Sequence, residues 1–168
     1  MNARYARKSI VVLGAGESGS SVAKLLKSGG AIVTVLDTAS AENLDSARED
    51  LAANGITVGS GGEAILVARK AQFDLAVISP GIDPNVPLVR AIEERGIEIV
   101  GELEVAYNFC ECPIIGITGT NGKTTTTQLV EKMLSACGVK TVAAGNIGPA
   151  FSARVRESKE LEGMTLEG

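Results

Sequence analysis

The sequence predicts an α/β chain in which a parallel-sheet domain with helices on both faces is followed by the start of a second α/β unit. Three observations carry that expectation. Short β-branched runs alternate with amphipathic stretches through the first hundred residues, a glycine-rich loop follows the first run, and a second glycine-rich loop opens a helical pattern further along. The 168 residues are 45% hydrophobic but only 3% aromatic, with no Trp, so a core must be built mainly from Val, Ile, Leu and Ala. Such a core suits a parallel sheet buried on both faces.

The elements follow in order. Strands are expected over Ser9 to Leu13, Ile32 to Leu36, Thr57 to Val58, Leu75 to Ile78 and Ile97 to Val100. Helical patterns lie between them, marked by Val22, Leu25 and Leu26; by Leu44, Ala47 and Leu51; by Ile65, Leu66 and Arg69; and by Leu88, Val89 and Ile92. This rhythm predicts right-handed crossovers and ligands at the carboxyl ends of the strands. A helix from Glu102 to Phe109 then reaches Cys110-Glu111-Cys112-Pro113, where proline interrupts the pattern, so domains are expected at residues 1–112 and 113–168. The second domain should contain a strand at Ile114-Ile115, a helix to about Cys137 and strands at Thr141 to Ala144 and Met164 to Glu167. Two or three parallel strands bury little surface, so this unit reads as truncated, and its open sheet edge is expected to pair with another copy.

Charge and cysteine usage exclude several classes. With 16 basic and 20 acidic residues the formal charge is −4, and no long basic run offers a nucleic-acid surface. Cys110, Cys112 and Cys137 form no Cys-x-x-Cys pair, and there is no His to complete a common zinc site, so a reduced, cytoplasmic protein is expected. The apolar stretch after Arg4, Arg7 and Lys8 is too short for a signal peptide, and no segment is long enough to insert in a membrane.

Two loops carry chemistry. Gly116 to Thr127, with Gly119-Thr120-Asn121-Gly122-Lys123-Thr124-Thr125 at its centre, lies between a strand and a helix marked by Leu129, Val130, Met133 and Leu134. Glycines allow the backbone near phosphate, helix amides face the negative charge, Lys123 is suited to the terminal phosphates and Thr124 to Mg²⁺. The generic P-loop template fails by one position, because Ile117 stands where a glycine is required and Gly116 lies one residue further back. A specialised variant is therefore being read.

The earlier loop, Gly14-Ala15-Gly16-Glu17-Ser18-Gly19, matches G-x-G-x-x-G, and Asp37 ends the next strand. The first domain is thus Rossmann-like, and its loop is suited to a diphosphate beside a carboxylate that accepts a hydroxyl or amide donor. NAD(P) and other nucleoside diphosphates satisfy that description equally. Ser79-Pro80-Gly81-Ile82-Asp83-Pro84 follows the fourth strand, where it forms either an ordinary turn or a wall of the same crevice. Gly145-Asn146-Ile147-Gly148-Pro149 follows a strand of the second domain, where Asn146 either simply turns the chain or aims its amide at a phosphate or sugar.

A nucleotide-type βαβ domain followed by the variant cradle Thr118 to Thr125 resembles the Mur ligase family, ATP-dependent amide-bond-forming enzymes of peptidoglycan precursor synthesis. With Ser79-Pro80-Gly81 and Gly145-Asn146-Ile147-Gly148, the chain looks most like the members that add D-glutamate to UDP-N-acetylmuramoyl-L-alanine. The resemblance implies that Gly14 to Gly19 hold the diphosphate, that Asp37 and Thr38 meet the uridine, that Gly81 lines the pocket and that Asn146 reaches the sugar or diphosphate. It replaces a redox cofactor with ATP and Mg²⁺, places Lys123 and Thr124 at the transferred phosphoryl group, and makes Glu167 the acidic Mg²⁺ ligand beside Thr124. Relatives often carry an Arg after the Asp-Thr pair, where this chain has Ala39. The family's later elements, including its histidine-bearing stretch, the lysine that becomes carbamylated and the amino-acid-binding domain, are absent. An N-terminal part, inactive alone, is therefore expected.

Overall fold

A computed structural model describes residues 3–145 and 149–167. The chain divides into two compact units, Met1–Val105 and Ala106–Gly168.

The first unit is a five-stranded parallel sheet. Its strands are β1 (Ser9–Leu13), β2 (Ile32–Asp37), β3 (Thr57–Ser60), β4 (Leu75–Ile78) and β5 (Ile99–Gly101), in the order β3-β2-β1-β4-β5. β1 is central because its apolar run has no polar face to show to water, and Ile10, Val11, Val12 and Leu13 are fully buried. It pairs with β2 from Ser9↔Ile32 to Leu13↔Leu36 and with β4 from Ile10↔Leu75 to Leu13↔Ile78. The chain leaves β1 toward β2 on one side and later returns to β4 on the other. The order therefore reverses at the carboxyl end of β1, which opens a crevice there.

Helices cover the sheet. α1 (Glu17–Ser28) buries Val22, Ala23, Leu25 and Leu26, α2 (Asp45–Ala53) buries Leu51, and α3 (Gly61–Lys70) buries Ala64 and Ala68. α4 (Pro87–Glu93) starts with proline, whose missing N–H costs nothing in the first turn, and buries Leu88, Val89, Ala91 and Ile92. Val11, Leu13, Leu36 and Ala76 from the strands join the α3 and α4 residues in one apolar cluster. Each large aliphatic side chain so buried contributes about 1.5–3 kcal/mol.

The division between the units falls within α5 (Glu102–Tyr107). In the second unit, β6 (Ile114–Ile117), α6 (Lys123–Ala136), β7 (Thr141–Gly145), α7 (Phe151–Arg154) and β8 (Gly163–Glu167) follow, with a 3-10 turn at Val155–Glu160. The strands are parallel in the order β6-β8-β7, so the last strand in sequence is central. Met164, Thr165, Leu166 and Glu167 are accordingly buried. Phe151 and Val155 bury the short helical segment before β8.

α6 packs on β7 and β8, with Thr127 buried and Val130 and Leu134 half-buried. The other apolar positions of its expected stripe, Leu129 and Met133, are 55% and 60% exposed, and Ile115 of β6 is 45% exposed. These exposures mark a sheet and helix with little apolar cover.

Candidate nucleotide sites

The first site lies at the reversal point of the five-stranded sheet. Gly14, at φ 98°, turns the chain out of β1, and Gly16 caps α1 in an extended conformation without a side-chain partner. The first-turn amides of α1 therefore face the crevice, where negative charge is favoured. Gly19 packs closely, since a Cβ there would stand 2.0 Å from the Gly14 carbonyl oxygen and 2.7 Å from Ser79 Oγ. At Gly16 a Cβ would meet nothing within 4 Å. One glycine lets the helix approach the strand, and another leaves space for a ligand.

Asp37 braces this loop. Its Oδ2 accepts the Ala15 N–H at 2.8 Å and its Oδ1 accepts the Ala39 N–H at 2.8 Å. Both carboxylate oxygens thus hold main chain, and each retains a further acceptor position. Ser79 N–H donates to the Leu13 carbonyl at 3.1 Å, placing the residue across the crevice from Gly14. Its hydroxyl is buried and has no hydrogen-bond partner, which leaves it available to a ligand oxygen.

Gly14, Gly16, Glu17, Ser18, Asp37, Ser79 and Gly81 line one cavity of about 360 Å³, together with Gly19 and Ile82. That volume lies within the usual range for small-molecule pockets. Ala15 contributes its amide to Asp37 but no cavity wall, while Thr38 and Pro80 are exposed outside the lining. Ile82, within the Ser79 to Pro84 segment expected as a wall, supplies its apolar part: its side chain lies 3.1 Å from where a Gly14 Cβ would be. That contact is tertiary and has no local signal in the sequence.

The second site is the loop between β6 and α6. Thr118 to Gly122 are exposed, Gly122 at φ 76° begins the helix in a left-handed conformation, and a Cβ on Gly122 would meet nothing. Lys123 Nζ donates to the Gly119 carbonyl at 2.9 Å, folding the lysine over its own loop. Thr127 Oγ1 returns a hydrogen bond to the Lys123 carbonyl at 2.9 Å, which accommodates one threonine of a β-branched run within the helix.

Thr124 Oγ1 donates to Glu167 Oε1 at 3.1 Å. The parallel register places Glu167 opposite Ile117, the last residue of β6, and opposite Gly145 of β7. Glycine is required at 145, at φ 110°, because a Cβ would come within 2.3 Å of the Glu167 carbonyl oxygen. Glu167 is buried, and its Oε2 has no hydrogen-bond partner among the described residues. A buried carboxylate oxygen without a donor, next to a threonine hydroxyl at a phosphate loop, fits Mg²⁺, which takes few protein oxygens and completes its shell with phosphate and water. No cluster of three His, Cys, Asp or Glu exists among the described residues, so Mg²⁺ here would depend on a bound phosphate. Thr120, Asn121 and Thr125 lie on the same exposed rim, whereas Asn146 is outside the described residues.

Comparisons with known proteins fall on these two units. The model of the Mur ligase MurD-like N-terminal domain matches residues 8–101, and that of the Mur ligase middle domain matches residues 117–164. A UDP-N-acetylmuramoylalanine--D-glutamate ligase of Pelotomaculum thermopropionicum is 42% identical over 151 residues, 90% of this chain and 33% of that protein. The protein of the same name in Streptococcus sanguinis is 43% identical over 167 residues, 98% of this chain and 36% of its own length. This chain thus spans about a third of the length of the curated relatives it matches.

Among solved structures, a pseudomurein peptide ligase type C from Methanothermus fervidus aligns with TM-score 0.54 at 27% identity, over 96% of this chain and 33% of that one. A UDP-N-acetylmuramate:L-alanyl-gamma-D-glutamyl-meso-diaminopimelate ligase from Neisseria meningitides aligns with TM-score 0.59 at 23% identity, over 96% and 52%, and shares the fold.

Proposed function

The chain belongs to the Mur ligase family, and from that premise we propose that it supplies the nucleotide-handling part of a ligase joining D-glutamate to UDP-N-acetylmuramoyl-L-alanine in the cytoplasm. The first unit holds the UDP end of the substrate. Its diphosphate lies on the α1 amides and the Gly14–Gly19 loop, with Ser79 Oγ and Gly81 on the opposite wall and the uridine toward Asp37 and Thr38. Asn146, outside the described residues, is a candidate for the sugar or diphosphate by family resemblance alone.

That second unit holds ATP. The observation that carries this reading is the Thr124–Glu167 pair at 3.1 Å with Glu167 Oε2 buried and unpartnered among the described residues, since a stand-alone dinucleotide-binding module has no need of it. Gly119 to Gly122 cradle the phosphates with backbone N–H groups, and Thr125 lies in the first turn behind them. Lys123 leaves the Gly119 carbonyl to meet the γ-phosphate and stabilises charge that develops as the phosphoryl group passes to the substrate carboxylate. Thr124 and Glu167 are suited to hold Mg²⁺, which when bound neutralises phosphate charge. The D-glutamate amine then attacks the activated carboxyl carbon, forming the amide and releasing phosphate.

These 168 residues bind nucleotide but do not complete that reaction alone. Supplied with ATP, Mg²⁺, D-glutamate and UDP-N-acetylmuramoyl-L-alanine, the chain is expected to form no amide product by mass spectrometry; product would overturn the assignment of an inactive part. Self-association through the open β6 or β7 edge is the expected oligomeric behaviour. Light scattering that gives a monomer over a broad concentration range would contradict it.

A further inference from the structure

Two sulfur atoms flank Cys110 Sγ at the amino end of the second unit's sheet. Cys110 Sγ lies 3.8 Å from Cys112 Sγ and 3.9 Å from Met164 Sδ. Both cysteines are reduced and half-buried, while Met164 is buried on the central strand β8. We propose that Cys110, Cys112 and Met164 form a binding site for a soft monovalent cation of the Cu(I) and Ag(I) class.

Spacing, ligand type and surroundings support the assignment. A metal–thiolate bond of about 2.3 Å sets ligand sulfurs about 3.8 Å apart in a tetrahedral site and about 4.0 Å apart in a trigonal one. The two sulfur separations seen here fall at or between those values, so neither contact needs to open or close by more than a small amount. Two thiolates and a thioether select soft cations over Mg²⁺ or Ca²⁺, and two thiolates without any His fall short of the four Cys or His ligands of a structural zinc site.

The one carboxylate between the cysteines is directed elsewhere: Glu111 Oε1 pairs with Lys159 Nζ at 3.2 Å, and the Glu111 N–H donates to Ser158 Oγ at 3.0 Å. Those bonds fix the backbone between the cysteines and keep the Glu111 carboxylate off the sulfur cluster, where the Cys110 thiol donates to the Cys112 carbonyl at 3.4 Å.

On binding, a soft cation displaces the thiol protons: two thiols lose H⁺ to solvent, two S–metal bonds form, and the Met164 lone pair supplies the third. No electron is transferred. The site is separated from the nucleotide cradle along the same strand, since Met164 precedes Glu167 by three residues, about 10 Å of extended chain.

Titration of the reduced Cys137→Ser chain with silver nitrate in chloride-free buffer tests the assignment, because that variant removes the exposed thiol. Native mass spectrometry is expected to show one Ag(I) per chain, and a pH-stat about two protons released per ion. Cys110→Ser or Cys112→Ser should weaken binding about 100-fold and Met164→Leu, which keeps apolar volume, about tenfold. In the unmodified chain, one equivalent of Ag(I) should protect both Cys110 and Cys112 from alkylation. This last readout does not depend on any variant folding. Unchanged affinity in Met164→Leu, release of a single proton, or unprotected Cys110 and Cys112 would each overturn the three-sulfur site.

Discussion

The two glycine loops of this chain are built in different ways. Around Gly14 to Gly19 the loop is clamped: Asp37 takes amides from Ala15 and Ala39, Gly19 sits against the Gly14 carbonyl, and Ser79 and Ile82 close the far wall. Around Gly119 to Gly122 the loop is open, with exposed residues, no neighbour near a Cβ at Gly122 and Lys123 folded onto the Gly119 carbonyl. The first loop is built into the core of its unit and presents a preformed cavity. The second stays outside the packing and draws its shape from backbone conformation and the Lys123 contact. Damage to the first should therefore cost both stability and binding, whereas damage to the second should cost chiefly binding.

Gly19→Ala is the harshest test. Its Cβ would stand 2.0 Å from a backbone oxygen that cannot rotate away. A loss of about 3 kcal/mol in urea unfolding is expected, with UDP binding abolished, because the helix must move off the strand. Equal stability would show that the loop is not clamped.

Asp37→Ala follows. It leaves two amides without their charged acceptor, and with the group half-exposed the expected loss is about 2 kcal/mol. Faster hydrogen exchange at the Ala15 and Ala39 amides, seen by NMR, should accompany it, and unchanged exchange would remove Asp37 from the role of brace.

Substitutions in the open loop are expected to behave differently. Gly122→Ala meets no neighbour but must keep φ near 76°, so about 1–2 kcal/mol is lost by strain alone. Lys123→Met should change stability by less than about 0.5 kcal/mol, yet weaken ATP·Mg²⁺ binding by about tenfold or more. A melting temperature lowered as far as that of Asp37→Ala would erase the contrast between the loops.

The smallest effect concerns pH. Because the Cys112 thiol is raised from about 9 to about 11, the folded chain holds its proton where the unfolded chain gives it up. Stability from this group is complete below pH 9 and declines as pH rises from 9 toward 11. Alkylation of Cys112, followed by peptide mass spectrometry, should accelerate through the same range, while exposed Cys137 reacts first at neutral pH.

Much of the fold was legible where one physical cue dominated. β1 and β4 are continuous apolar runs in the middle of a sheet, and their bounds follow directly from sequence. β3 extends to Ser60 beyond the expected Val58, because Gly59 and Ser60 carry no strand pattern and are held by pairing with Leu36 and Asp37 of β2. β5 starts at Ile99 rather than Ile97 and ends on Gly101, again set by pairing with β4. The helical segment from Phe151 to Glu160 carried too little periodicity among its charges to be read, although Phe151 and Val155 anchor it one turn apart.

The sites divide along the same line. Loop glycines, Lys123 and Thr124 are read from local motifs, and the strand ending at Glu167 is visible as the alternation Met164-Thr165-Leu166-Glu167. Three features are tertiary and had no local signature: the Asp37 bonds to main-chain amides, the unpartnered Ser79 hydroxyl and the requirement for glycine beside Glu167 at position 145. α6 shows the converse. Its apolar stripe predicts burial, but Leu129 and Met133 lie open because no element of the described chain covers them.

On the proposed function, one chain carries two independent nucleotide sites, one for the UDP moiety and one for ATP. Calorimetric titration of ATP·Mg²⁺ into the chain saturated with UDP separates this from a single shared site. One ATP bound per chain is expected, with affinity unchanged by UDP and no displacement of UDP by NAD. Competition between UDP and ATP for a single site, or displacement of UDP by NAD, would overturn the two-site reading.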